Sequence, residues 1–396
     1  MARRFALGKA PFQRITDEKR LSTSQIMRDF IIALVPLILF GWVKNGLLPF
    51  IREEISVIEM LYPLILILVG ALTSVVSEVI FFYVWKKTNT WEGLKKELSL
   101  SYGVIPGLLI AMIVPIYTPV WVLMLGCVVA NILFKMLFGG FGHNILNPAL
   151  MGYAFITTAF YGVITSSVGQ GFFLPSELAS GATPLQNLAG LGSVTNPDVL
   201  ISPYGSLLDF FLGTVPGGLA ETSSLLIILS CIFLIARKVI SWVIPVIYVG
   251  TVFVLTLIIG LISTDNGLTF ALFNVLSGGL LFGAVFMATE PVTSPKTPNG
   301  KVIFALLLGV LTVLFRLSGT LPEGVATSIL LLNLFVPMID RFAATIRAKK
   351  LNRQVILKYV GMGVFILLLA FYTVFHVTNK YEKKDIAKAE VVEVIE

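Results

Sequence analysis

Residues 177–190 read ELASGATPLQNLAG, a small, polar stretch free of Lys and Arg with apolar segments on both sides. Its Ser180-Gly181-Ala182-Thr183 is either a turn between membrane segments or a place where Thr183 carries chemistry. Pro184 biases Thr183 toward extended backbone, which predicts a hydroxyl that stands out from any helix. Gly181 and Ala182 leave its approach open, so a modifying enzyme could esterify it with a phosphate. A second group is FGGFGHNILNP. There Gly139, Gly140 and Gly142 let backbones approach closely or turn N–H groups toward a ligand. Asn144 and Asn147 can hold freed backbone groups, and His143 can titrate or bond a ring carbonyl.

Carboxylates form a third group. Glu78, Glu221 and Glu290 lie at the ends of apolar segments or inside them, where an ionisable residue is expensive and is a functional candidate by default. Glu78 is the best placed for burial. Asp340 reads equally as a coupling carboxylate or as an interfacial pair with Arg341. Arg316 can bind a phosphate, neutralise a carboxylate or snorkel. Cys127 and Cys231 are the only cysteines and form no CxxC, so neither a disulfide framework nor a self-sufficient metal site is indicated.

The elements that must position these groups are membrane helices. Of 396 residues 56% are hydrophobic and 13% charged, and mean hydropathy is +0.91; soluble domains carry about 25% charged residues. Apolar runs long enough to cross a bilayer fall near 29–48, 61–85, 103–115, 119–137, 148–168, 222–236, 241–263, 268–288, 302–317, 325–340 and 357–377. The expected fold is an all-α polytopic membrane protein of ten or eleven spans, with 205–220 as a re-entrant or interfacial piece. The third and sixth runs are short, which suggests tilted or broken helices.

Lys and Arg clusters follow the even-numbered spans and fill the leader, MARRFALGKAPFQR. This places them, with the N-terminus, on the cytoplasmic side. The net charge of +7 is thereby assigned to orientation, not to nucleic acid. No Lys or Arg occurs between Met136 and Ala236, which puts 169–221, with Thr183, on the outer face. Lys380, Lys383 and Lys384 argue mildly against an outer tail. The expected organisation is a leader (1–25), a first membrane half (26–168), the outer loop (169–221), a second half (222–345) and an additional helix with its tail (346–396). The glycine-rich stretches around 139 and 278 suggest two halves of like orientation, which would meet at a mid-membrane site built from broken helices.

Five stretches together resemble the RnfD/NqrB family, the flavin-carrying membrane subunits of the Rnf complex and of Na⁺-translocating NADH:quinone reductase. They are FGGFGHNILNPALMGY, SGATPL, GGLAETS, GGLLFGAVFMATEPVTSPKTPNGK and LPEGVATSILLLNLFVPMID. They run in family order over roughly residues 24–345, and the compact leader leans toward RnfD. The resemblance implies FMN esterified to Thr183 by an ApbE-type flavin transferase, ten core helices in two related halves, and one-electron transfer among partner subunits coupled to Na⁺ or H⁺ movement. It also implies a noncovalent riboflavin, and associates Gly139 and Gly140 with a quinone region. Where the family has ATDPVT this chain has ATEPVT, with Glu290 on a longer arm. Glu78, Glu290 and Asp340 are the candidate ion-coupling carboxylates.

The expected place is the cytoplasmic membrane of a prokaryote. The sparse cations around Thr183 predict a low potential or one favouring the one-electron form, since an anionic reduced ring is costly among apolar groups. Two other functions fit the same helices. One is a stand-alone electron conduit to an outer acceptor; the other is a channel or solute transporter.

Overall fold

The computed structural model describes residues 22–88, 90–167, 183–191, 196–318, 324–348 and 353–395, and within these the regular elements are all helical. The protein is an all-α polytopic membrane protein. Among the described residues six helices are long and apolar enough to cross a membrane, or eight if two bent pairs each count as one span. Helices occupy every one of the eleven expected runs.

The departures from straight spans matter most, because they build the sites. The third expected span is only Val104–Ile113, bent by 47° from the preceding Trp91–Ser101. Ten residues rise about 15 Å, half a bilayer. The last carbonyls of so short a helix have no intrahelical donors and no water inside a membrane. A non-helical run before Ser224 supplies donors: Leu219 N–H donates to Val114 O at 3.0 Å and Ala220 N–H to Met112 O at 2.9 Å. The expected re-entrant piece is therefore a short helix, Leu207–Leu212, followed by this buried crossing. The sixth span, Ser224–Ala236, begins where the crossing ends.

The eighth span breaks at Ser277-Gly278-Gly279 into Gly267–Leu276 and Leu280–Met287, bent by 59°. Gly278 has φ +66°, a conformation that glycine adopts without strain.

Among the described residues three stretches are π-helical: Val43–Leu47, Val129–Met136 and Gly283–Met287. Such insertions often mark functional positions. The second and third each lead through a turn-rich connection to a helix with proline at its start, Pro148–Ala159 and Pro298–Ser318. Asn147 and Thr297 stand just before these helices, each accepting from a first-turn amide.

Val57–Val84 packs against Val104–Ile113 and Val120–Val128, as Val243–Ser263 packs against Gly267–Leu276 and Pro298–Ser318. These neighbours pair the spans at an offset of five, whereas the glycine-rich stretches pair them at an offset of four. By span counting the first relation is antiparallel and the second parallel. The glycine pairs also stand in different places: Gly139-Gly140 follows a π-helix, while Gly278-Gly279 precedes one.

The additional helix, Arg353–Ile395, lies along Pro298–Ser318. Tyr359 OH bonds the Asn299 amide near one end, and Lys380 Nζ donates to Leu317 O and Ser318 O, each at 3.2 Å, at the other.

Candidate functional site

Two recesses lie toward opposite ends of the first helix. Phe30 borders one and Lys44 backs the other; fourteen residues separate them, about 21 Å of helical rise.

The first recess is the Thr183 cleft. Thr183 is half-buried and directly precedes the helix Pro184–Leu191. Its hydroxyl does not stand out from the helix as Pro184 alone suggests. Thr183 Oγ1 accepts from Gln186 N–H at 3.3 Å, and Thr183 N–H donates to Gln186 Oε1 at 2.9 Å. This is a capping box with proline at the first helical position, where it is pre-organised. Thr-Pro-Leu-Gln carries that signal in the sequence, and the capping bond turns the hydroxyl back toward the start of the helix. Thr183 lines a cleft of about 320 Å³ together with Pro184 and Leu185, Val215 to Gly217, Glu221 and Thr222, and Leu276 and Gly278. Ser180, Gly181 and Ala182 lie outside the described residues.

Charge surrounds this cleft, contrary to the expectation of sparse cations. Lys44 Nζ donates to Val215 O at 2.6 Å and to Thr222 Oγ1 at 3.0 Å. Glu221 is buried and accepts from Gly218 N–H at 3.2 Å; it also interacts electrostatically with Lys44. Arg316, also buried, donates to Asn274 O at 2.5 Å. A Cβ built on Gly278 would lie 3.8 Å from Arg316 Nη2, so the guanidinium sits directly behind the cleft floor. Lys44 and Arg316 come from helices remote in sequence, so a local count of cations misses both.

The second recess has a volume of about 520 Å³. Phe30, Tyr102 and Phe141 give it aromatic walls, and Lys135, Asn144, Asn147 and Glu290 bring polar groups to it. Lys135 Nζ contacts Glu78 Oε1 and Ser101 O, both at 2.6 Å, and the lysine and glutamate side chains are 3% and 0% exposed. Glu78 Oε2 has no hydrogen-bond partner among the described residues. A Cβ on Gly103 would strike this carboxylate, so glycine there makes room for it.

Asn144 Nδ2 donates to Glu290 Oε1 at 3.4 Å, and Thr293 Oγ1 donates to Glu290 Oε2. Burial pushes the Glu290 carboxyl above the usual carboxylate range, partly offset by the Thr293 and Asn144 hydrogen bonds. Asn147 accepts from Ala149 and Leu150 N–H at 3.0 and 3.3 Å, and its amide reaches Met287 O at 3.3 Å.

Glu78, Asn144 and Glu290 thus gather around this recess. Gly139 and Gly140 do not line it; their φ values of +113° and +88° turn the chain. His143 is exposed and sits over Gly139, outside the recess. Asp340 stands apart, accepting from Lys296 N–H at 2.8 Å, Thr297 N–H at 2.9 Å and Thr297 Oγ1 at 2.6 Å. It anchors the start of Pro298–Ser318. Phe141, Tyr102 and Lys135 are the site residues that motif reading passes over.

Among the described residues no group of His, Cys, Asp and Glu could hold a metal; the two cysteines are free, Cys127 buried and Cys231 partly buried.

The class these features define is a polytopic membrane bundle of broken helices with two recesses that polar side chains enter. The NQR2, RnfD, RnfE family model matches residues 10–349, and the chain belongs to that family. Among its relatives is a subunit of the proton-translocating ferredoxin:NAD(+) oxidoreductase complex of Clostridium ljungdahlii. The two are 33% identical over 350 residues, covering 87% of this chain and 96% of that protein. The corresponding subunit of the Na(+)-translocating ferredoxin:NAD(+) oxidoreductase complex of Acetobacterium woodii is 33% identical over 327 residues, covering 81% and 89%. A subunit of the Na(+)-translocating NADH-quinone reductase of Chromohalobacter salexigens is 36% identical over 269 residues, covering 66% and 63%.

Proposed function

We propose that the protein is a membrane electron-transfer subunit of an ion-translocating oxidoreductase complex of the Rnf type, with FMN held on Thr183 by a phosphoester bond. Family membership and the relatives from ferredoxin:NAD(+) oxidoreductase complexes support the general role. The observation that carries the cofactor reading is the position of Thr183 at a helix N-terminus, where it lines a cleft and its Oγ1 takes part in the capping bond. An esterified oxygen keeps lone pairs, so the Gln186 bond survives attachment, and a phosphate at a helix N-terminus is favourably placed.

When bound, FMN supplies electron-carrier chemistry that no side chain here possesses. Thr183 would tether it, Gln186 would hold the tether's geometry, and Pro184, Leu185 and Leu276 would keep water from the ring. A separate ApbE-type transferase would install it. The second recess, with three aromatic walls and convergent amide and charged groups, fits a noncovalent flavin such as riboflavin, with Asn144 and Lys135 as hydrogen donors to ring carbonyls. A quinone is the other ring carbonyl compound that would suit those donors. Glu78 and Glu290 are the coupling candidates beside that recess. Asp340 is the weaker one, being occupied with helix anchoring.

The two relatives from ferredoxin:NAD(+) oxidoreductase complexes are equally identical to this chain and are named for different ions, so both H⁺ and Na⁺ stay within the reading. The proposed setting is a prokaryotic cytoplasmic membrane, with Thr183 outside and other complex subunits around the bundle. The test is peptide mass spectrometry of the chain co-expressed with a flavin transferase. The peptide containing Thr183 should carry the mass of an FMN ester; an unmodified peptide, with the transferase shown active on another substrate, would overturn the cofactor reading.

A further inference from the structure

Three charged side chains cluster at the Thr183 cleft among the described residues, Glu221 and Arg316 buried and Lys44 partly so. Glu221 lines the cleft, Lys44 is tied to two lining residues, and Arg316 lies behind Gly278. Lys44 owes its place to a π-helical turn, Val43–Leu47, in the first span. Asn45, on the same turn, donates to Leu219 O at 3.1 Å, and a Cβ on Gly41 would come within 2.6 Å of that oxygen. The turn therefore clamps the 213–223 crossing and aims the ammonium at the cleft wall. The two cations lie on helices well separated in the chain, yet both back one small recess.

We propose that Lys44 and Arg316 are the positioning cations of the cleft, counterbalancing Glu221 and the flavin phosphodiester and setting the reduction potential of the flavin. This deepens the cofactor reading and rests on it. A diester to Thr183 carries one negative charge and Glu221 a second; Lys44 and Arg316 supply two positive charges. An isoalloxazine ring held there would gain one net negative charge on taking up two electrons and one proton, and that charge would respond to each fixed charge nearby. Removing a cation must make reduction harder, and removing the carboxylate must make it easier. A purely structural role predicts no such opposition of sign.

The experiment is a dithionite titration of the covalently bound flavin in the purified full chain, followed by absorbance, with in-gel fluorescence reporting loading. Lys44→Met and Arg316→Met should each lower the reduced-to-oxidised ratio at fixed potential by roughly tenfold, about 30 mV for a two-electron couple. Glu221→Gln should raise it by a similar factor. Lys44→Arg and Arg316→Lys keep the charge and should hold the wild-type midpoint, and they serve where a methionine variant does not fold. Midpoints that coincide in all loaded variants, or that all move the same way, would overturn the proposal. A wild-type chain with no covalent fluorescence would instead overturn the cofactor reading on which it stands.

Discussion

At the scale of single residues, the Lys135–Glu78 pair makes the sharpest energetic demand. Both side chains are buried at a 2.6 Å contact, and removing one partner of a buried pair strands the other at a cost of about 3–5 kcal/mol. Lys135→Met alone should therefore lower the thermal midpoint of the detergent-solubilised protein markedly. Adding Glu78→Leu should recover much of the loss, because an apolar replacement of both partners removes the stranded charge. Equal midpoints in the single variant and the wild type would contradict this account of the pair.

Glu290 carries a pH signature. Its carboxyl is raised by burial, so the folded state holds its proton at pH values where the unfolded chain has lost it. Stability should rise as pH falls from the raised value toward the ordinary carboxylate value, and Glu290→Gln should flatten that slope. Urea midpoints across the acidic range would show it.

Much of the site is legible at this scale. Thr183, Glu78, Asn144 and Glu290 stand out by residue type and setting alone. Lys44 does not, because it sits inside a run that reads as one hydrophobic span. Only a π-helical turn, which leaves no compositional mark, aims it at the cleft.

At the scale of elements, the structure depends on helices that stop early. Val104–Ile113 ends in mid-bundle, and its close approach to Val57–Val84 is possible because Gly107 faces the carbonyl of Gly70 without a side chain. Gly107→Ala would force these helices apart, at about 1–3 kcal/mol by the usual cost of overpacking. A thermal midpoint unchanged from wild type would contradict the contact.

The short third and sixth spans, the third set off by a break, can be anticipated from their short apolar runs. The reason for the break cannot, since it lies in hydrogen bonds from residues 219 and 220, a hundred positions away. Charge counting also meets its limit here. Lys380 speaks against an outer tail, yet its ammonium is used to cap the last carbonyls of Pro298–Ser318, where a cation suits the helix dipole.

At the scale of the whole molecule, about 21 Å of the first helix separates the aromatic-walled recess from the Thr183 cleft. In the proposed reading the bundle holds two carriers toward opposite faces and leaves the ion-coupling carboxylates beside the inner one. The all-helical membrane fold follows directly from hydropathy. The joining of the two recesses by one helix, and the cations behind the cleft, require the packing.

The central claim is that Thr183 bears the flavin. It is tested most directly by a denaturing gel viewed under ultraviolet light after co-expression with an active flavin transferase. The account predicts a fluorescent band at the position of the chain in wild type and none in Thr183→Val at equal protein load. A band that persists in Thr183→Val, or no band in wild type, would contradict it.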